Sequence, residues 1–115
     1  MSAYVILFWV FASLAAGGLL IGLCYTTRVS LPSWLGAAHG MAGLFAVGAF
    51  FIVNLLHAPQ AGVLAWWSLG AFAAGVVGGL LLFRVLFPGK APIWSMMMHG
   101  SVAAVGLYLL YAVAF

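Results

Sequence analysis

The sequence predicts an all-α fold: an integral membrane four-helix up-down bundle built from a duplicated helical hairpin. Three observations predict it. The composition is too apolar for water, four long apolar runs alternate with short breakers, and the second half of the chain repeats landmarks of the first.

Of 115 residues, 69% are hydrophobic and 3% are charged, and the mean hydropathy is +1.35. A soluble domain needs far more charge on its surface. The expected solvent is therefore a lipid bilayer. Between helices in lipid there is no water to expel, so they must associate through close packing, small residues and polar links.

The first run covers about residues 4–27 and ends in Thr26, Thr27, Arg28, Val29 and Ser30, closed by Pro32. It has no basic leader and no clear cleavage site, so it reads as a retained helix and not as a signal peptide. The second run covers about 33–56 and stops at His57, Ala58, Pro59 and Gln60. The third covers about 62–87 and stops at Pro88, Gly89 and Lys90. The fourth starts at Pro92, a favoured first-turn position for proline, and covers about 92–114. Each run exceeds the roughly 20 residues that cross about 30 Å of hydrocarbon. The short connections predict antiparallel neighbours within a single transmembrane domain over 1–115. An open sheet is excluded, because lipid cannot satisfy its edges.

The three cations, Arg28, Arg84 and Lys90, all fall at one end of the predicted bundle. The positive-inside rule makes that end cytoplasmic and leaves both termini on the non-cytoplasmic side; a bacterial inner membrane is the expected location. Trp34 and Trp94 mark the cation interface, and Trp66 and Trp67 the other.

The chain contains no Asp or Glu. A carboxylate pair for acid–base catalysis and a Ser/His/Asp triad are both excluded. Three cations do not make a nucleic-acid surface. One cysteine, Cys24, excludes an intrachain disulfide and a cysteine-cluster metal site, and it reads as a packing residue. Asn54 reads as an interhelical hydrogen-bonding residue, and His57 as a solvated helix-end residue.

Shifting the chain by 60 residues pairs Gly18 with Gly78, Leu20 with Leu80, Pro32 with Pro92, Trp34 with Trp94, His39 with His99 and Gly40 with Gly100. Proline, tryptophan and His-Gly are not what an apolar bias supplies by chance. Two helices separate the copies, so both copies have the same topology, as in parallel repeats related by an axis along the membrane normal. The repeat sets His39 on the second helix and His99 on the fourth. Each lies about seven residues into its span, roughly 10 Å deep at 1.5 Å per residue. An ionisable residue at that depth is treated as functional by default.

Two inward histidines at equal depth can supply both axial ligands of one haem iron. Small residues flank each: Gly36, Ala42, Gly43 and Ala46 around His39, and Ser95, Ala103 and Gly106 around His99. The cofactor-binding set expected from sequence is His39, His99, Arg28, Arg84, Lys90, Gly43 and Gly106. The histidines are the metal ligands, and the cations are partners for haem propionates. Lipid phosphate would satisfy the same cations equally well. The glycines of the first and third helices (Gly17, Gly18, Gly22, Gly70, Gly75, Gly78, Gly79) suit close approach to a porphyrin edge, and equally suit ordinary helix packing. A lone histidine would more simply bond to a neighbouring helix; the duplicated, depth-matched pair favours haem.

This layout resembles the four-helix haem-binding core of transmembrane b-type cytochromes. Ligation by histidines from the second and fourth helices, with glycines on the first and third, is what the resemblance implies for His39 and His99. The departure is that each ligating helix here has one interior histidine, which limits the chain to one haem b.

The expected function is thus a small b-type cytochrome carrying electrons, with a quinone or a redox protein as its partner. The alternative is a haem-free structural or assembly subunit of a larger membrane complex or a homo-oligomer. Zinc is disfavoured because two histidines are too few. For copper, Met96, Met97 and Met98 point in different directions, so at most one joins His99. A four-helix multidrug transporter matches in size only, because the glutamate that type depends on is missing.

Overall fold

The fold is that of a computed structural model, which describes residues 2–59 and 61–115. Gln60, expected in the second breaker, lies outside the described residues. The helices are α1 (Ala3–Thr26), α2 (Leu35–Leu56), α3 (Val63–Leu80) and α4 (Ile93–Ala114). A π-helical segment, Leu81–Leu86, continues α3 without a break. Each of the four, α3 taken through Leu86, is long and apolar enough to cross a membrane.

The helix limits follow from local chemistry. Ser2 begins α1 by accepting a hydrogen bond from the Val5 amide on its side-chain oxygen, which satisfies one of the free donors of the first turn. At the other end, the Val29 amide reaches back to the Cys24 carbonyl at 2.8 Å, with Arg28 in the left-handed region at φ 59°. Gly89, in the third connection, takes the same region at φ 70°. Pro92 is extended, and α4 starts directly after it.

Contacts between helices run antiparallel around a closed ring. Tyr4 at the start of α1 meets Asn54 at the end of α2, and Phe51 meets Trp66 across α2 and α3. Ser68 near the start of α3 donates to the Gly106 carbonyl late in α4, and Phe8 of α1 meets Tyr111 of α4. The four neighbouring pairs, α1–α2, α2–α3, α3–α4 and α1–α4, all pack, so α2 and α4 face each other diagonally.

The half of the bundle nearest the termini is filled by aromatic packing. Phe11 and Phe72 stack with ring centroids 3.8 Å apart and planes 12° apart. Phe50, fully buried, leans against both at 5.9 and 6.4 Å. Each such pair contributes about 0.5–1.5 kcal/mol beyond simple burial. Leu7, Ala46, Leu69 and Leu110 complete the cluster. Outside it, the exposed surface carries Trp9, Leu19, Phe45, Leu56, Val77 and Tyr108, a covering suited to acyl chains and unsuited to water.

Two predictions follow from these contacts. A Cβ added at Gly106 would lie 2.8 Å from the Phe72 ring, and Phe72 cannot yield because Phe11 is stacked on its other side. Gly106→Ala should therefore destabilise the bundle by about 1–3 kcal/mol, read by detergent-induced unfolding. Arg28→Gly should stabilise the end of α1 by about 1 kcal/mol, since only glycine takes left-handed φ freely. A loss of stability in the same assay would mean that the arginine side chain itself anchors that end.

Candidate functional site

In the cation-side half of the bundle Leu82 and Ser95 are buried, and two histidines pack against glycine. His39 on α2 and His99 on α4 are both half-buried. His39 rests on α1 at Gly18: a Cβ there would lie 3.0 Å from the ring Cε1 and 3.1 Å from Nε2. His99 rests on α3 at Gly79, where a Cβ would lie 2.9 Å from Cε1 and 3.3 Å from Nδ1. The Gly79 distance is shorter than real Cβ atoms make, and at Gly18 the ring would have to give by a few tenths of an ångström, so each imidazole sits in a notch that glycine leaves open.

The two rings share one level. Gly22 of α1 faces the Met96 sulfur of α4. One turn further along both helices, Gly18 comes level with Gly100, the neighbour of His99. Phe83, on the π-helical segment, stands edge-on to His99 with centroids 5.4 Å apart. That segment places a bulky ring beside the histidine four residues after Gly79, the glycine that makes room for it; π-turns of this kind often occur at functional sites.

Neither imidazole makes a hydrogen bond among the described residues. His99 Nδ1 is buried and has no partner; the Gly75 carbonyl lies near the ring without hydrogen-bond geometry. Buried polar atoms are satisfied in the great majority of cases, and an exception needs a physical explanation. The other buried orphan is Asn54 Nδ2, at the far end of the bundle. Asn54 accepts from the Tyr4 hydroxyl at 3.2 Å and links two helices there, as the sequence suggests. His57 is exposed, and its Nδ1 donates to the Val53 carbonyl.

The remaining candidates are placed as follows. Arg28, Arg84 and Lys90 are exposed. The Tyr25 hydroxyl donates to the Gly89 carbonyl at 3.2 Å, which ties the end of α1, next to Arg28, to the turn that carries Lys90. None of the three cations makes a side-chain hydrogen bond or an ion pair among the described residues. Gly43 faces the Val76 methyl at 3.6 Å, and Gly106 faces Phe72; Gly106 thus belongs to the aromatic layer. Gly18 and Gly79 are the glycines that touch the imidazoles. Their signal in the sequence is the pair of glycine doublets, Gly17-Gly18 and Gly78-Gly79.

The structure also corrects the register of the repeat. A uniform shift of 60 matches Gly18 with Gly78, but the notch residues are Gly18 and Gly79, and the left-handed residues are Arg28 and Gly89. The first helix of each copy is therefore related by 61 residues and the second by 60, so one residue is lost between the left-handed turn and the proline. Around residue 80 the second copy reads Leu80, Leu81, Leu82, which hides the difference.

Among Met96, Met97 and Met98, Met96 alone is half-buried; the other two are exposed. Among the described residues no cluster of three or more His, Cys, Asp or Glu is present. What the arrangement offers chemically is two imidazoles from diagonal helices at one height, in an apolar interior, with unpaired cations at the nearby interface.

Paired substitutions test the notches. Gly18→Ala and Gly79→Ala should each cost about 1–3 kcal/mol in detergent unfolding. Gly17→Ala and Gly78→Ala, where nothing lies within 4 Å, should change stability by less than about 0.5 kcal/mol. Equal effects within the two doublets would remove the histidine notch as their cause. Comparison of the chain with protein-family models, with curated proteins and with solved structures finds no match in any of the three.

Proposed function

We propose that this chain is a small b-type cytochrome that binds one haem between His39 and His99 and carries electrons in the membrane. The observation that carries the proposal is the matched pair of imidazoles: one level, diagonal helices, no hydrogen-bond partner for either ring, and His99 Nδ1 buried. An imidazole that merely locked the bundle would be expected to bond to a carbonyl or hydroxyl of the next helix; the Gly75 carbonyl of α3 lies near the His99 ring, but the buried Nδ1 makes no hydrogen bond of good geometry.

The donor types present, two imidazoles and three cations, suit the group, while the groove beside His39 is not lined by His99. Haem iron in electron carriers accepts two axial imidazoles, and His39 and His99 would supply them. Arg28, Arg84 and Lys90 would face the propionates through charge-assisted hydrogen bonds. The bound group would supply reversible one-electron transfer. The chain's own residues do the rest. Gly18 and Gly79 hold each ring by its Cε1 edge, Phe83 restricts the His99 ring from the side, and the aromatic layer closes the interior toward the termini. An apolar surround excludes water from the site and so shapes its electronics.

A second reading has an observation in its favour. Each ring fits its glycine notch so closely that the pair also serves as an interlock, as a haem-free structural subunit of a larger membrane complex would need.

One spectrum separates the two. Protein purified from haem-replete cells should show a Soret band and sharpened visible bands on reduction. His39→Ala and His99→Ala should each abolish that spectrum, while Met97→Leu, on the exposed face, should leave it unchanged. Absence of a Soret band, with both histidine variants spectrally identical to the parent, ends the cytochrome reading and leaves the interlock.

A further inference from the structure

We infer that the cation end of the bundle holds the phosphate of an anionic phospholipid between Arg28 and Lys90. Both residues lie in connections outside the helices, Arg28 between α1 and α2 and Lys90 between the π-helical segment and α4. The Tyr25 hydroxyl bonds to the Gly89 carbonyl at 3.2 Å, which fastens the end of α1 to the third connection. Arg28 follows Tyr25 within one turn, and Lys90 follows Gly89 directly, so both cations flank that tie.

Three observations select the occupant. The first is charge without a partner. The chain has no Asp or Glu, so no side chain of the protein can neutralise either cation, and both are exposed.

The second is backbone conformation. Arg28 has φ 59°, and the residue at the matching place in the second copy is Gly89, at φ 70°. Glycine takes this region freely and a residue with a Cβ does not. A residue held there points to a use for its side chain, and what Arg28 adds over glycine is a long cation beside the tie.

The third is the surround. Val29, Leu31, Trp34, Ile93 and Trp94 are exposed along the same connections and helix starts. A free anion gains nothing from such a surface. A phospholipid meets it with acyl chains, while its phosphate accepts charge-assisted hydrogen bonds from guanidinium and ammonium; tryptophan suits the headgroup level. A phosphorylated protein would find only residues 27–34 and 87–92 outside the helices to grip at this end.

Each cation near an anionic surface strengthens binding about fivefold, so two should favour an anionic over a zwitterionic lipid by at least about tenfold. A haem propionate carries the same charge and would compete for these cations. The inference is therefore read on haem-free molecules and stands apart from the cytochrome reading.

The test is native mass spectrometry of the full chain from cells starved of a haem precursor, which resolves haem-bearing from haem-free molecules by mass. Titration with phosphatidylglycerol and phosphatidylcholine of equal chain length should give one saturable phosphatidylglycerol adduct, bound at least about tenfold more tightly. Arg28→Gly and Lys90→Gln should each weaken it about fivefold, and Arg28→Lys, which keeps the charge, should retain it. Arg28→Gly should do so while raising resistance to detergent unfolding, a combination that loss of structure cannot produce. Equal binding of the two lipids, or a preference unmoved by both Arg28→Gly and Lys90→Gln, overturns the proposal. Ready displacement of the lipid by inorganic phosphate also overturns it, and makes this end a site for a free anion.

Discussion

On the cation side, the distance between neighbouring helices is set by two places where an imidazole lies directly against helix backbone, at Gly18 and at Gly79. In lipid, helices gain nothing by hiding apolar surface from water, and close contact must supply the association. A side chain at either glycine would push α1 from α2, or α3 from α4, and would separate the two rings that sit at one level. The histidine pair, the placement of Phe83 and the groove beside His39 all depend on those two contacts.

The rest of the bundle supplies the counterweight. Phe11, Phe50 and Phe72 fill the interior near the termini with large rings, while the histidine level is framed by glycine. The chain thus joins a tightly filled half to a half in which polar ring atoms lack partners. Tolerance of an orphaned nitrogen at His99 requires such support, because an unsatisfied buried polar group costs on the order of 1–3 kcal/mol.

Much of this was legible in the residues. Proline, glycine and the few polar residues divide an otherwise apolar chain, so the expected runs and the helices agree to within about two residues at each end, within the usual scatter of helix boundaries. The histidines stood out because Pro-Trp-His-Gly recurs against a background rich in Leu, Ala and Val. The π-helical segment was not legible: Leu81 to Leu86 contains neither glycine nor proline. Nor was the role of Gly106, since nothing local says that Phe72, 34 positions earlier, takes its space. The choice between Gly78 and Gly79 was masked by the run of leucines that follows, which satisfies either alignment.

The one-residue slip between the copies has a consequence for symmetry. A strict duplication would give the two imidazoles identical surroundings, and anything held between them would experience equivalent sides. Here His39 borders an opening toward the membrane, whereas His99 is enclosed by α3 and Phe83. The doubled sequence thus folds into two unlike imidazole settings, one beside an opening and one beside an aromatic ring.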